Sequence, residues 1–212
     1  MTNPNSTYEY AYTTAESGHH HNYLLPPLLK LLSNIKQDKA KKLRVLDIGC
    51  GNGSLSNLIA KHGYEVVGVE DSPSGVAEAN KNFPECRFIH ASVYDLPYSD
   101  LGGDFDIVIS AEVIEHLLYP RELIKSAKKC LKPNGSLILT TPYHGYIKNC
   151  VLALTGKMDN HFTVLWDGGH IKFFSVQTLS KLLIEGGFSN LQFEFAGRTP
   201  YLWKSMLVLS TL

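Results

Sequence analysis

Apolar and polar positions alternate between two periods along this chain. Arg44-Val-Leu-Asp-Ile48 is a short apolar run that ends in glycines and reads as a buried strand. Ser54 to His62 places Leu55, Leu58 and Ile59 on one helical face, with Gly63 as its stop. Glu65 to Glu70, carrying Val66, Val67 and Val69, predicts a second strand, and Ser72-Pro73 opens the next helix as cap and first-turn proline. Further strands are predicted at Arg87 to His90, Phe105 to Ser110 and Ser136 to Thr141. Pro120 to Lys132 is a helix with a Leu123, Ile124, Ala127 and Leu131 stripe. Lys128, Lys129 and Lys132 suit the negative end of its dipole, and Pro133-Asn-Gly135 stops it. Ser175 to Glu185 is a helix ended by Gly186-Gly187, and Gln192 to Ala196 and Leu202 to Ser210 are two strands with no helix between them.

Strands alternating with helices predict a parallel sheet covered on both faces, and the last pair, lacking a crossover, should be antiparallel. The expected fold is a Rossmann-like doubly wound α/β sheet of seven strands. It is mostly parallel, with an antiparallel C-terminal strand and helices on both faces. One domain is expected over 1–212: an N-terminal segment and helix (1–43, the helix over Tyr23 to Asn34), a core (44–141), an insertion (142–174), and a C-terminal helix and strand pair (175–212). The insertion is too long for a simple loop and is rich in His, Tyr and aromatic residues, among them Tyr143, Tyr146, Phe162, Trp166, Phe173 and Phe174. Those rings suit an apolar acceptor pocket or a lid with a small core of its own.

Composition narrows the function. Twenty Lys and Arg balance twenty Asp and Glu over 212 residues, so no bulk charge favours nucleic acid or anionic membrane. There is no run of about 18 apolar residues and no secretory leader pattern at the start. Four cysteines without a CxxC read as free thiols, which with the missing leader predicts a cytoplasmic location. Monomer and homodimer both stay open.

Asp47-Ile-Gly49-Cys50-Gly51-Asn-Gly53 joins a strand to a helix, where glycine turns the chain and lets a ligand touch backbone. Glu70 closes the neighbouring strand, where a carboxylate can accept from both hydroxyls of a ribose. The spacing is not G-x-G-x-x-G, and Asp47 beside the loop disfavours a pyrophosphate. Together these point away from a dinucleotide and towards a nucleoside with a cationic end.

Val45-Leu-Asp-Ile-Gly-Cys-Gly-Asn-Gly53 resembles the first motif of class I S-adenosylmethionine-dependent methyltransferases, and Gly68-Val-Glu70-Asp-Ser72 their acidic second motif. Phe88 to Tyr98, Phe105 to His116, Leu131 to Ser136, Gly169 to Ser175 and Glu185 to Phe188 continue the resemblance in order. It implies S-adenosyl-L-methionine as cofactor, S-adenosyl-L-homocysteine (SAH) as product and a small-molecule methyl acceptor. Gly49, Cys50 and Gly51 would hold the methionine part, with Asp47 ordering the loop or accepting from the amino group through water. Glu70 would hold the ribose, and Asp71 and Ser72 would border the adenine. Ser92, where the family often has Asp, or the Val93 backbone would meet the adenine amine, and Ser110, Ala111 and Glu112 would border the methionine end.

Candidate general bases are His144, His170, Glu112 and His116, with His161 further back in the insertion. If Glu112 to His116 is helical, Glu112, Glu115 and His116 share a face able to hold a hard divalent ion. This stretch resembles the metal-linked one of ubiquinone-biosynthesis O-methyltransferases. For Tyr8, Tyr10, Tyr12 and the His19 to His21 run the resemblance implies an N-terminal segment folded over the cofactor, while the Tyr spacing of two fits equally a short strand or a disordered polar tail. Oxygen is the favoured acceptor atom, with nitrogen, carbon and a non-catalytic cofactor-binding module as alternatives.

Overall fold

Strands that are apolar on both faces need cover on both sides, and the computed structural model of the chain, which describes residues 9–18, 21–35 and 41–212, supplies it. β1 (Arg44–Ile48), β2 (Glu65–Glu70), β3 (Arg87–His90), β4 (Phe105–Ala111) and β5 (Leu131–Pro142) are mutually parallel. β7 (Ser205–Thr211) inserts antiparallel between β5 and β6 (Ser189–Ala196), giving the order β3-β2-β1-β4-β5-β7-β6. No helix among the described residues is long and apolar enough to cross a membrane.

Side chains along β1 point alternately into two cores. Val45 joins Leu24, Leu28, Leu31 and Leu32 of α1 (His21–Ser33) and Leu55 and Ile59 of α2 (Ser54–Lys61). Ala79 of α3 (Pro73–Asn82) packs into the same layer. Leu46 and Ile48 face the other layer, with Leu123 and Ile124 of α4 (Pro120–Cys130). The insertion folds as α5 (Tyr146–Leu154) and α6 (Met158–Phe162). It leads to α7 (Val176–Glu185), whose Leu179 and Leu183 also lie in the second core. Ser175 opens α7 as a capping box: its Oγ accepts from the Thr178 amide, and the Thr178 hydroxyl accepts from the Ser175 amide.

The structure differs from the periodicity at several points, among them β6, which starts at Ser189 and not Gln192. α4 stops at Cys130, because Leu131 pairs with Phe105 as the start of β5, and a register shift before Ile107 and Ser136 absorbs Pro133 to Gly135. Lys132 therefore leaves the helix end and sits 2.6 Å from Asp106 Oδ1. β7 begins at Ser205 instead of Leu202, since Arg198 and Tyr201 adopt left-handed backbone in the connecting turn. Glu112 to His116 is not an α-helix: Glu112 has φ +54° and only Ile114–His116 winds, as a 3₁₀ turn.

Candidate active site

The parallel strands end together, and the loops beyond them enclose a cavity of about 990 Å³. Such crevices lie outside the carboxyl ends of α/β strands because the helices that follow turn their free amides toward them. The floor is the turn after β1. Gly49 and Cys50 donate to the Val69 carbonyl at 2.7 and 3.0 Å, which locks the turn onto β2. Gly53 has φ +77°, and a Cβ there would lie 2.7 Å from Phe88 Cζ and 2.8 Å from the Ala79 methyl. Neither neighbour can swing away. Gly53→Ala is therefore expected to destabilise the fold by about 2–4 kcal/mol, from left-handed strain plus overpacking, read as a lower urea midpoint.

Asp47 is 1% exposed beneath this turn, and burial pushes its carboxyl up to about 6 against a helpful 2.6 Å hydrogen bond from Ser56 Oγ to Oδ2. Its Oδ1 has no partner. A buried acceptor facing a cavity with an open valence is suited to a ligand donor. Glu70 is placed by two backbone donors: Gly51 N reaches Oε2 and Ser72 N reaches Oε1, both at 2.8 Å. Burial still raises its carboxyl above the ordinary range. Ser72 caps α3 by accepting from Gly75 N. Asp71 lines the rim and is exposed. Ser92 and Val93 line the far wall, where the Val93 carbonyl accepts from Ser126 Oγ.

A strap formed by residues 9–18 covers the mouth. Glu9 Oε1 accepts from the Ser74 amide and Ser72 hydroxyl, both at 3.2 Å, and Tyr12 N donates to Ser74 Oγ. Asn52 Nδ2 holds the Thr14 and Glu16 carbonyls at 2.9 Å. Tyr10 and Tyr12 thus lie where the N-terminal segment was expected, and His21 also lines the cavity. Tyr8, His19 and His20 lie outside the described residues. Nothing in the spacing of Glu9 signalled its role, because its partners are 63 and 65 residues away.

The opposite end is lined by Ala111, Glu112, Val113, His116, Leu117, Trp166, Gly168 and His170. The left-handed turn at Glu112 sends its carboxylate away to Thr140 Oγ1 at 2.8 Å and Ser205 Oγ at 3.3 Å, and burial pushes it up to about 7. The acids and imidazoles that meet are instead Glu115, His116 and His170, with ligand atoms within 4.8 Å of one another. Glu115 is 0% exposed; Oε2 accepts from Thr141 Oγ1, while Oε1 is unpartnered and 4.0 Å from His170 Nε2. Burial and then the Glu112 charge hold its carboxyl well above the usual range. Burial, then His116 and His161, hold His170 down to about 4. His116 Nδ1 donates to the Gly168 carbonyl at 2.8 Å, and the Glu115 carbonyl accepts from Ile171 and Lys172 at 2.9 Å, so the turn clamps the His170 segment.

Two expected residues fall elsewhere. Ser110 is buried with its hydroxyl donated to the Ile48 carbonyl at 2.8 Å; it splices β4 to β1 and does not line the cavity. His144 is turned from the cavity into a separate ring cluster with His161, Phe162 and Phe173, because its amide is tied to the Phe174 carbonyl. Of the expected Glu112, Glu115 and His116 set, Glu115 and His116 come together with His170, and Glu112 does not join them.

A family described as a methyltransferase domain matches residues 17–192. The chain belongs to that family. Among curated relatives, a mitochondrial ubiquinone biosynthesis O-methyltransferase of Schizosaccharomyces pombe is 38% identical over 154 residues, covering 67% of this chain and 53% of that protein. Another of the same activity from Azorhizobium caulinodans is 34% identical over 118 residues, covering 55% and 46%. The chain spans about half the length of the curated relatives it matches. The chain also superposes on a Pyrococcus horikoshii protein (TM-score 0.68, 22% identity, 94% of each chain). A Synechocystis magnesium protoporphyrin IX methyltransferase with bound SAH gives TM-score 0.65 at 22% identity, over 88% of this chain and 80% of that one. These two share its fold.

Proposed function

We propose that this methyltransferase domain uses S-adenosyl-L-methionine and methylates oxygen on a small, partly apolar acceptor. The observation that carries the reading is Glu70, held by the Gly51 and Ser72 amides opposite a glycine turn whose buried Asp47 keeps one open acceptor. Both carboxylates fit the group: one meets sugar hydroxyls and the other an amino-acid amine. Asp71, Ser72, Ser92 and Val93 border the adenine end, while Gly49, Cys50, Gly51 and Ala111 line the methionine end. The activity named for the curated relatives supports oxygen as the acceptor atom. Four free thiols support a reducing, cytoplasmic setting, and the balanced charge supports a small molecule over nucleic acid.

The cofactor supplies an electrophilic methyl on sulfur; the chain's own task is to position the acceptor, exclude water and take its proton. Trp166, Tyr10 and the strap enclose the cavity against bulk water. His170, unprotonated at neutral pH and backed by the unpartnered Glu115 oxygen, is the proton acceptor. Glu115, His116 and His170 would also hold a divalent ion that acidifies a hydroxyl. Two imidazoles and one carboxylate suit a first-row transition ion and not the hard cation expected from Glu112.

Calorimetry with SAH and with NADH, followed by transfer of labelled methyl from S-adenosylmethionine to catechols, phenols and amines, tests the reading. SAH binding with label in a hydroxyl-bearing acceptor is expected. Preferential NADH binding, or tight SAH binding with no transfer to any acceptor, would overturn it.

A further inference from the structure

The cavity's charge is one-sided. Glu9, Glu16, Asp47, Glu70, Asp71 and Glu112 line it, yet among the described residues no Lys or Arg does, although the chain carries 20 of them. S-adenosylmethionine ends in an amino acid, so its ammonium and its carboxylate arrive together, both on one carbon. The open Asp47 oxygen suits the ammonium and repels the carboxylate beside it. A donor able to carry positive charge is needed at that end.

Among the described lining residues, the side chains able to carry positive charge are His21, His116 and His170. His116 and His170 meet Glu115 at the acceptor end, where His116 Nδ1 is tied to the Gly168 carbonyl at 2.8 Å. His21 stands at the other end, against the first turn of α2. Its Nδ1 lies 3.3 Å from Ser54 Oγ and 3.3 Å from Ser17 Oγ, and its amide donates to the Gly18 carbonyl at 2.9 Å. The same turn of α2 carries Ser56, whose hydroxyl holds Asp47 at 2.6 Å. The imidazole and the open Asp47 oxygen thus flank one helix start, and Gly18, Asn52 and Leu55 line the cavity beside them. When a hydroxyl donates to Nδ1, the neutral ring carries its proton on Nε2, a donor for an anion. Glu16, whose carbonyl Asn52 holds here, is exposed, so water screens its carboxylate.

We infer that His21 receives the carboxylate of S-adenosylmethionine while Asp47 receives its ammonium. The inference rests on the cofactor reading above and adds to it a contact that the glycine turn and Glu70 do not supply. It also couples the strap to the ligand. Ser17 belongs to the strap and Ser54 to α2, so a ring held between their hydroxyls joins the two, and a carboxylate bound to that ring holds the strap over the ligand. Asn52 fastens the strap as well, through the Thr14 and Glu16 carbonyls, but with an uncharged amide, which makes it the comparison.

The test titrates the full chain, by calorimetry, with SAH and with its decarboxylated analogue, S-adenosyl-3-thiopropylamine. Wild type should prefer SAH by about 10–100-fold, the contribution of one charge-assisted hydrogen bond. His21→Ala should lose most of that preference, with SAH weakened by about 10–100-fold and the analogue by about three-fold or less. Binding of the analogue then shows that the variant is folded. His21→Gln, with an amide donor in place of the ring, should recover part of the preference. Asn52→Ala should weaken both ligands by one factor and keep it. Equal affinity of wild type for the two ligands, or a preference that survives undiminished in His21→Ala, overturns the carboxylate contact alone. Wild type that binds neither ligand overturns the cofactor reading instead.

Discussion

Glu70→Ala is expected to weaken SAH binding by about 100-fold or more while the sheet stays folded. Each carboxylate oxygen already accepts one backbone amide, from Gly51 or Ser72, and a carboxylate has about four acceptor positions. The positions left open can accept from a sugar diol, and charge-assisted bonds of that kind contribute roughly 1.5–3 kcal/mol each. Removing the group also frees the Gly51 and Ser72 amides at the cavity wall, which loosens the turn that holds the ligand. Glu70→Gln sharpens the test. The amide keeps the shape but offers a donor where both oxygens now accept, so one backbone N–H faces an NH₂. The isostere should bind nearly as poorly as alanine, and only Glu70→Asp should keep part of the affinity. Since burial raises the Glu70 carboxyl, affinity should fall on acidification sooner than for a free glutamate: the ionised form is required, and a raised value is crossed at higher pH. Calorimetric affinity in Glu70→Ala equal to wild type would remove the ribose role.

The sheet and its glycine turn were legible because each depends on neighbours in sequence. Glu65–Glu70 and Arg87–His90 have the bounds that their apolar runs predict, and Ser72-Pro73 caps the helix it opens. Local pattern failed where a distant strand decided. Leu131 continues the helical stripe of Pro120 to Ala127, yet pairing with Phe105 takes it into β5. Glu112 follows a strand as any hinge residue would, and its left-handed backbone cannot be read from a glutamate. That one dihedral redirects the acid to Thr140 and Ser205 and leaves Glu115 to meet the imidazoles. His144 and His170 look alike in sequence. They separate because the 3₁₀ turn clamps the segment carrying His170 while the Phe174 carbonyl holds the His144 amide on the other side. Glu9 and Tyr12 illustrate the remaining limit, since contacts spanning more than sixty residues have no periodicity to betray them.

His170→Gln is expected to lower kcat by about 10²–10⁴-fold, the usual contribution of a positioned base, with SAH affinity within about two-fold of wild type. The split follows from geometry: His170 lies at the end of the cavity remote from Glu70 and touches Trp166 and His116, not the glycine turn. Its partner explains why it can serve. Glu115 Oε1 is buried, unpartnered and 4.0 Å away, so an imidazole that gains a proton faces an open carboxyl oxygen able to accept it. Glu115→Gln should therefore lose a smaller factor, about 10–100-fold, because the amide still fills the site but cannot carry charge. The pH profile separates this from a structural role. With His170 held down to about 4, its accepting form persists well below neutrality, and the acid limb of kcat/KM should fall only as pH approaches that value. In Glu115→Gln the same limb should stay where it is, since the Glu115 carboxyl, held well above the usual range, is already uncharged at that pH. Chelator-treated protein is the proper sample, so that the rate reports side chains alone. An unchanged kcat in His170→Gln under those conditions would hand the proton to another group at this end of the cavity, with His116 the first to test.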